Sequence, residues 1–163
     1  MSLDQATLQA LASFPDALAA HYALFPRSHR NWRPSAWEGI PSEHLTPIEQ
    51  LCHVRDIEIE GYQKRFYRTL TESHPYLESL DIDGLAQARS YALADESEVL
   101  ASCRAARTQT LDLLSGVSAE RLRRPALFEG LVHYLCSHDQ QHLAGLQWLL
   151  GQIEAADLAK RAS

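Results

Sequence analysis

His138 and His142 stand four residues apart in the stretch LVHYLCSHDQQHLAGLQWLLG at 131–151. At 3.6 residues per turn they share one helix face with Leu131, Leu135, Gly145 and Leu149, so both imidazoles belong to the stripe that should face the interior. Cβ atoms at this spacing are roughly 5–6 Å apart, which lets two ring nitrogens approach one metal ion at about 2 Å each. Burying two neutral imidazoles without partners costs roughly 1–3 kcal/mol apiece, and a shared cation removes that cost. Two histidines make half a site. His53, near the start of an earlier helix, is the candidate third ligand, because its helical neighbours Glu49, Asp56, Ile57 and Glu60 form a mostly polar side suited to lining a cavity. His21, His29, His44, His74 and His133 read as surface or satisfied core residues, His133 being about 140° round the helix from His138.

Spacing sorts the metal architectures. HDQQH has Asp139 where the H-E-x-x-H of zinc metalloproteases has a general-base glutamate, and few residues remain downstream for a further ligand. Di-iron carboxylate bundles need E-x-x-H on two helices, a motif this chain lacks. What survives is a mononuclear site of three histidines with a position open to water or substrate, the arrangement used catalytically. Three neutral ligands leave the ion its full double charge, which depresses the pKa of a bound water or thiol. Zinc, nickel and copper all suit such ligands, so availability decides among them. Glu49, Asp56 and Asp139 are the acidic candidates for orienting the ring N–H groups.

Four long helices must position these residues. The first spans 3–24, with Ser2 as N-cap and Pro15 expected to kink or divide it. Residues 26–47 lose all periodicity and carry four prolines together with Trp32 and Trp37. A connection this long is usually functional, and the tryptophans either lid the cavity or pack on the core. Thr46-Pro47-Ile48-Glu49 is a capping box with proline at the first helical position. The second helix follows, with Ile48, Leu51, Cys52, Ile59, Tyr62, Phe66 and Leu70 as its apolar face, and stops before His74-Pro75. Residues 73–92 read as an irregular crossover whose turn is Asp81-Ile82-Asp83-Gly84. Arg89 and Tyr91, just after it, are weaker candidates for anchoring an anionic substrate. Asp95 and Ser97 open the third helix, which ends at Ser115-Gly116. The fourth begins near Pro125 and yields to a polar tail after Gly151. The expected architecture is therefore all-α: a four-helix bundle with long crossover connections, built as one domain over 1–163 with its core at 3–151.

Composition agrees. The chain has 163 residues, 45% hydrophobic and 22% charged, with seven glycines and seven prolines, which suits one ordered globular domain. A net charge of −6 and scattered arginines give no basic field for nucleic acid. No apolar run reaches the ~18–20 residues of a membrane span, and no basic-then-apolar leader opens the sequence. A cytoplasmic protein without a membrane or nucleic-acid partner is expected. Cys52, Cys103 and Cys136 lie within predicted helices and form no C-x-x-C pair, so they read as buried thiols.

The His53 helix start, the Asp56-Ile57-Glu58 run, the Asp81-Ile82-Asp83-Gly84 crossover and above all His138-Asp139-x-x-His142 resemble the DinB/YfiT-like superfamily of metalloenzymes, over about residues 32–150. The resemblance implies a four-helix bundle with a long crossover. It also implies three histidines, corresponding here to His53, His138 and His142, that bind a divalent ion such as zinc or nickel. Characterised relatives use low-molecular-weight thiols as S-transferases and isomerases. Two functions are then expected to compete. One is an enzyme that activates a thiol or water for transfer to, or hydrolysis of, a small-molecule substrate. The other is a non-catalytic metal-binding module in which the ion staples the bundle, with Cys52 or Cys136 closing the fourth position. A bundle of this size is also compatible with a homodimer through an exposed helix face.

Overall fold

Aspartate side chains set several helix starts. In the computed structural model, which describes residues 4–118 and 122–162, Asp4 accepts from the Thr7 N–H. Asp81 accepts from Gly84, and Asp95 from Ser97 and Glu98. The helices that follow are α1 (Gln5–Ala23), α4 (Ile82–Ala88) and α5 (Glu96–Ser115). Thr46 opens α2 (Pro47–Asp56), where the Glu49 carboxylate reaches back to the Thr46 N–H. A π-helical turn at Ile57–Tyr62 joins α2 to α3 (Gln63–Thr71) in one rod, and α6 (Pro125–Ala162) completes the set. Among the described residues no strand forms, and no helix is long and apolar enough to cross a membrane.

Cross-helix pairs give the topology. Leu51 meets Cys103, Glu58 meets Arg107 and Gln63 meets Thr110, so α5 runs parallel to the α2–α3 rod. His53 meets His138, Tyr62 meets Tyr134 and Phe66 meets Phe128, so α6 runs antiparallel to it. Leu11, Asp16 and Tyr22 of α1 meet Arg107, Arg104 and Glu96 in turn, so α1 opposes α5. The result is an up-down-down-up bundle. Two consecutive parallel rods demand a return path, and residues 72–95 with α4 supply it. Both α1 and the α2–α3 rod pack on α5 and α6, so they occupy opposite corners, and residues 24–46 must cross one end of the bundle between them.

Several expectations change. Pro15 lies within α1 without dividing it. Its missing N–H frees the Leu11 carbonyl, and Arg107 Nη1 donates to that oxygen at 2.7 Å. The turn expected at 81–84 is the capped start of α4, which makes the crossover partly helical. The fourth helix does not stop at Gly151: it continues to Ala162, and Ile153 is still buried. A lone glycine costs about 1 kcal/mol in a helix interior, which the continuing helix outweighs. The Ser2 cap lies outside the described residues. On the second rod the π turn brings Ile57 and Glu58 inward and leaves Ile59 half-buried.

Two apolar clusters fill the bundle. One gathers Leu18, Leu51, Leu146 and Leu149, the other Leu11, Phe66, Phe128 and Leu135. Between them runs a buried polar layer. Arg107, 1% exposed, makes paired contacts to Glu58 (2.7 and 3.0 Å) and Asp139 (2.8 and 2.9 Å), and its guanidinium carbon lies 5.0 Å from the centre of the Phe14 ring. One side chain thus touches all four rods. Removing one partner of a buried ion group leaves uncompensated charge and costs about 3–5 kcal/mol. Arg107→Met is therefore expected to lower unfolding free energy by about that amount in urea titration. Adding Glu58→Leu and Asp139→Leu should recover part of the loss; a single-variant loss below about 1 kcal/mol would contradict the assignment.

Candidate metal centre

α2 and α6 run antiparallel, so an early residue of one meets mid-helix residues of the other. His53 of α2 faces His138 and His142 of α6. His138 Nε2 stands 3.2 Å from His53 Nε2 and 3.1 Å from His142 Nε2. Donors bound tetrahedrally at about 2.0–2.1 Å are about 3.3–3.4 Å apart, so these separations suit one shared ion. Glu43, from the 24–46 connection, adds a carboxylate: Oε2 is 3.2 Å from His142 Nε2 and Oε1 is 3.8 Å from His53 Nε2. The four donor atoms all lie within 4.8 Å of one another.

Protonation favours ligation. Burial lowers all three imidazoles from their ordinary value, His138 to about 3 with help from neighbouring His53, so all are neutral near pH 7. Gln50 fixes one tautomer. Its Nε2 donates to Ser42 Oγ at 2.8 Å and faces the Glu43 and Leu45 carbonyls, which leaves Oε1 to accept from His142 Nδ1–H. The His142 Nε2 lone pair then points at the common centre. His138 Nε2 holds at most one proton and touches two other ring nitrogens, so the chain alone cannot pair all three. A cation at their centre satisfies them together, and the donor set therefore fits a divalent ion. His138 Nδ1 has no hydrogen-bond partner among the described residues.

Gly145 lets the connection approach. A Cβ there would collide with Ser42 and stand 3.2 Å from Gln50 Nε2, so a glycine on α6 admits the segment that carries Glu43. Beside the histidines opens a cavity of about 240 Å³, and Glu43, His53 and His138 are among its lining residues. Tyr62, Tyr134 and Arg65 line it as well.

The remaining candidates sit elsewhere. Glu49 caps α2 and pairs with Arg33 at 2.8 Å. Asp56 takes Tyr91 Oη at 2.6 Å and Arg55 and Arg89 at 2.7 Å each, a cluster that pins the crossover to α2 and occupies both suggested anion anchors. Those hydrogen bonds hold Asp56 below the usual carboxylate range despite burial. Asp139 neighbours His138 but binds Arg107; burial pushes its carboxyl up to about 7 against that pull. Trp32 packs against the core, and Trp37 stacks between His44 and Trp148. The cysteines are free thiols, and Cys52 and Cys103 point to the Tyr91 and Leu51 carbonyls.

The sequence gives Glu43, Gln50 and Arg107 no role, and it marks Glu58 only as part of the Asp56-Ile57-Glu58 run. Glu43 is in an aperiodic segment with no spacing to mark it. Gln50 precedes His53 by three residues, and Arg107 falls in register with Cys103, Ala106, Thr110 and Leu114. Those registers were the available signals.

No protein-family model and no curated protein sequence matches this chain. Among solved structures, that of YfiT from Bacillus subtilis superposes with a TM-score of 0.75 at 20% identity, covering 94% of this chain and 91% of YfiT. The chain has the DinB/YfiT-like fold. YfiT is described as "a probable metal-dependent hydrolase with an unusual four-helix bundle topology". Outer-shell partners of ligating histidines change metal affinity roughly 10–100-fold. Gln50→Ala should weaken zinc binding by that factor in chelator competition while leaving the helical spectrum unchanged; unaltered affinity would remove Gln50 from the site.

Proposed function

We propose that this protein is a metal-dependent enzyme in which His53, His138 and His142 hold a divalent ion, zinc or nickel. The ion serves to activate water or a low-molecular-weight thiol for hydrolysis of, or transfer to, a small-molecule substrate. The observation that carries this reading is the convergence of three neutral, buried Nε2 atoms beside a cavity. The likeness to YfiT supports it at the level of fold.

The cation supplies Lewis acidity, bringing the pKa of a water or thiol toward neutrality. The chain does the rest. Rigid α2 and α6 present the three imidazoles, and Gln50 holds His142 in the tautomer whose lone pair faces the centre. Glu43 differs from the histidines: it comes from a connection, its side chain is 37% exposed against 2% or less for His53 and His142, and it borders the cavity. These features suit a carboxylate that accepts the nucleophile's proton at Oε1 or Oε2 and later returns it to the leaving group. Ile57, Leu80 and Ile82 make the adjoining wall apolar, which limits water around the reacting groups.

A structural ion with a closed ligand set makes the opposite forecast for Glu43. General-base removal costs typically 10²–10⁴-fold in rate, whereas loss of a ligand costs affinity. Glu43→Gln is expected to keep one zinc per chain with affinity within about threefold, and to lower turnover of a reporter ester or thiol-transfer substrate at least about 100-fold. His138→Ala should abolish stoichiometric binding. Wild-type uptake below about 0.1 zinc per chain after reconstitution would end the proposal, and loss of zinc in Glu43→Gln would favour the structural ion.

A further inference from the structure

Arg65 is the cation that lines the cavity beside the histidines. It lies on α3 with other basic residues, and their pairing differs. Lys64 pairs with Glu60 at 2.6 Å, and Arg68 reaches Glu72 and Glu78 at 3.7 and 3.9 Å. Among the described residues Arg65 has no carboxylate in ion-pair range. Its Nη2 donates to the Glu78 carbonyl at 2.7 Å, and its guanidinium carbon lies 5.7 Å from the centre of the Tyr62 ring. The Tyr62 ring is itself 5.8 Å from that of His138. One aromatic ring therefore separates the unpaired guanidinium from the histidine cluster. A guanidinium retains donors for a two-point contact with a planar or tetrahedral oxyanion even when one nitrogen is engaged.

Resting on the metal-enzyme reading, we infer that Arg65 is the substrate's anion anchor. The cavity takes a small molecule with an apolar or aromatic body along Tyr62 and Leu80, a carboxylate or phosphate monoester on Arg65, and its reacting group toward the histidines. Charge supports this. Among the residues that line the cavity Arg65 is the cation, and a divalent ion held by the histidines would add positive charge that favours an anion. Size sets the scale: about 240 Å³ falls below the roughly 300–1,000 Å³ of pockets for drug-sized ligands. The crossover contributes as well, since Ser79, Leu80 and Ile82 line the cavity and the Glu78 carbonyl accepts from Arg65.

The test compares benzoate, phenyl phosphate and neutral benzamide by calorimetric titration into metal-free and zinc-loaded protein. The metal-free arm isolates Arg65 from direct coordination. In it, at least one anion should bind about tenfold or more tightly than benzamide, and the tighter of the two identifies the class. Arg65→Gln should remove that preference with zinc stoichiometry and melting temperature unchanged, and Arg65→Lys should retain part of it. Equal binding of all three compounds to the wild type, or a preference that survives Arg65→Gln, overturns the inference. Failure of the metal reading shows differently: zinc uptake is absent while the anion preference in metal-free protein persists.

Discussion

Arg107 is the interaction on which the rest of this structure depends. Desolvating a guanidinium costs several kcal/mol, and the position is sustained because two carboxylates and a backbone carbonyl from three other rods meet it. Proline in α1 releases the carbonyl, the π turn turns Glu58 inward, and α6 supplies Asp139. Each feature looks unfavourable alone. Together they lock the relative height of all four rods at one layer, and in that layer His138 is the residue next to Asp139. The histidine cluster inherits its register from this ion group. Apolar packing fixes the bundle above and below, but apolar contacts alone tolerate small slides that ring nitrogens about 3 Å apart would not.

The same layer explains why the bundle tolerates so much buried polarity. The two apolar clusters are separated by a slab that holds ionic chemistry on one side and imidazoles on the other. π turns recur at functional sites because an extra residue in one turn re-aims the side chains around it. Here the re-aimed residues are Ile57, Glu58 and Tyr62: one wall of the cavity, one partner of Arg107, and the ring between His138 and Arg65. The long connections have matching roles. Parallel placement of the second and third rods requires 72–95, which helps line the cavity. Diagonal placement of the first two requires 24–46, which delivers Glu43, and Gly145 with Gln50 gives that segment its seat.

Much of this was legible in the sequence, for identifiable reasons. Helical periodicity, the Thr46–Glu49 box and the Asp95 cap gave rods and boundaries, and the i,i+4 histidines with His53 gave the cluster. Misses arose where local rules meet tertiary partners. Pro15 reads as a helix breaker until Arg107 is there to take the Leu11 carbonyl. Glu58 and Arg107 give no sign of their role in the sequence, because charged residues are seldom buried unless paired, and the pairing is non-local. Glu43 belongs to a segment whose path is fixed only by the finished bundle. Gly151 reads as a stop, yet nothing after it breaks the helix. Asp56 and Asp139 were placed near the histidines by sequence proximity, and each is drawn away by arginines whose approach depends on the crossover or on α5.

The central claim is that three imidazoles from α2 and α6 share one divalent ion. X-ray absorption at the zinc edge of reconstituted protein tests it directly, because imidazole rings scatter in a pattern distinct from carboxylate or water. The account predicts one zinc per chain with three imidazole nitrogens at about 2.0–2.1 Å. A spectrum fitted by oxygen or sulfur ligands with one imidazole or none would contradict it.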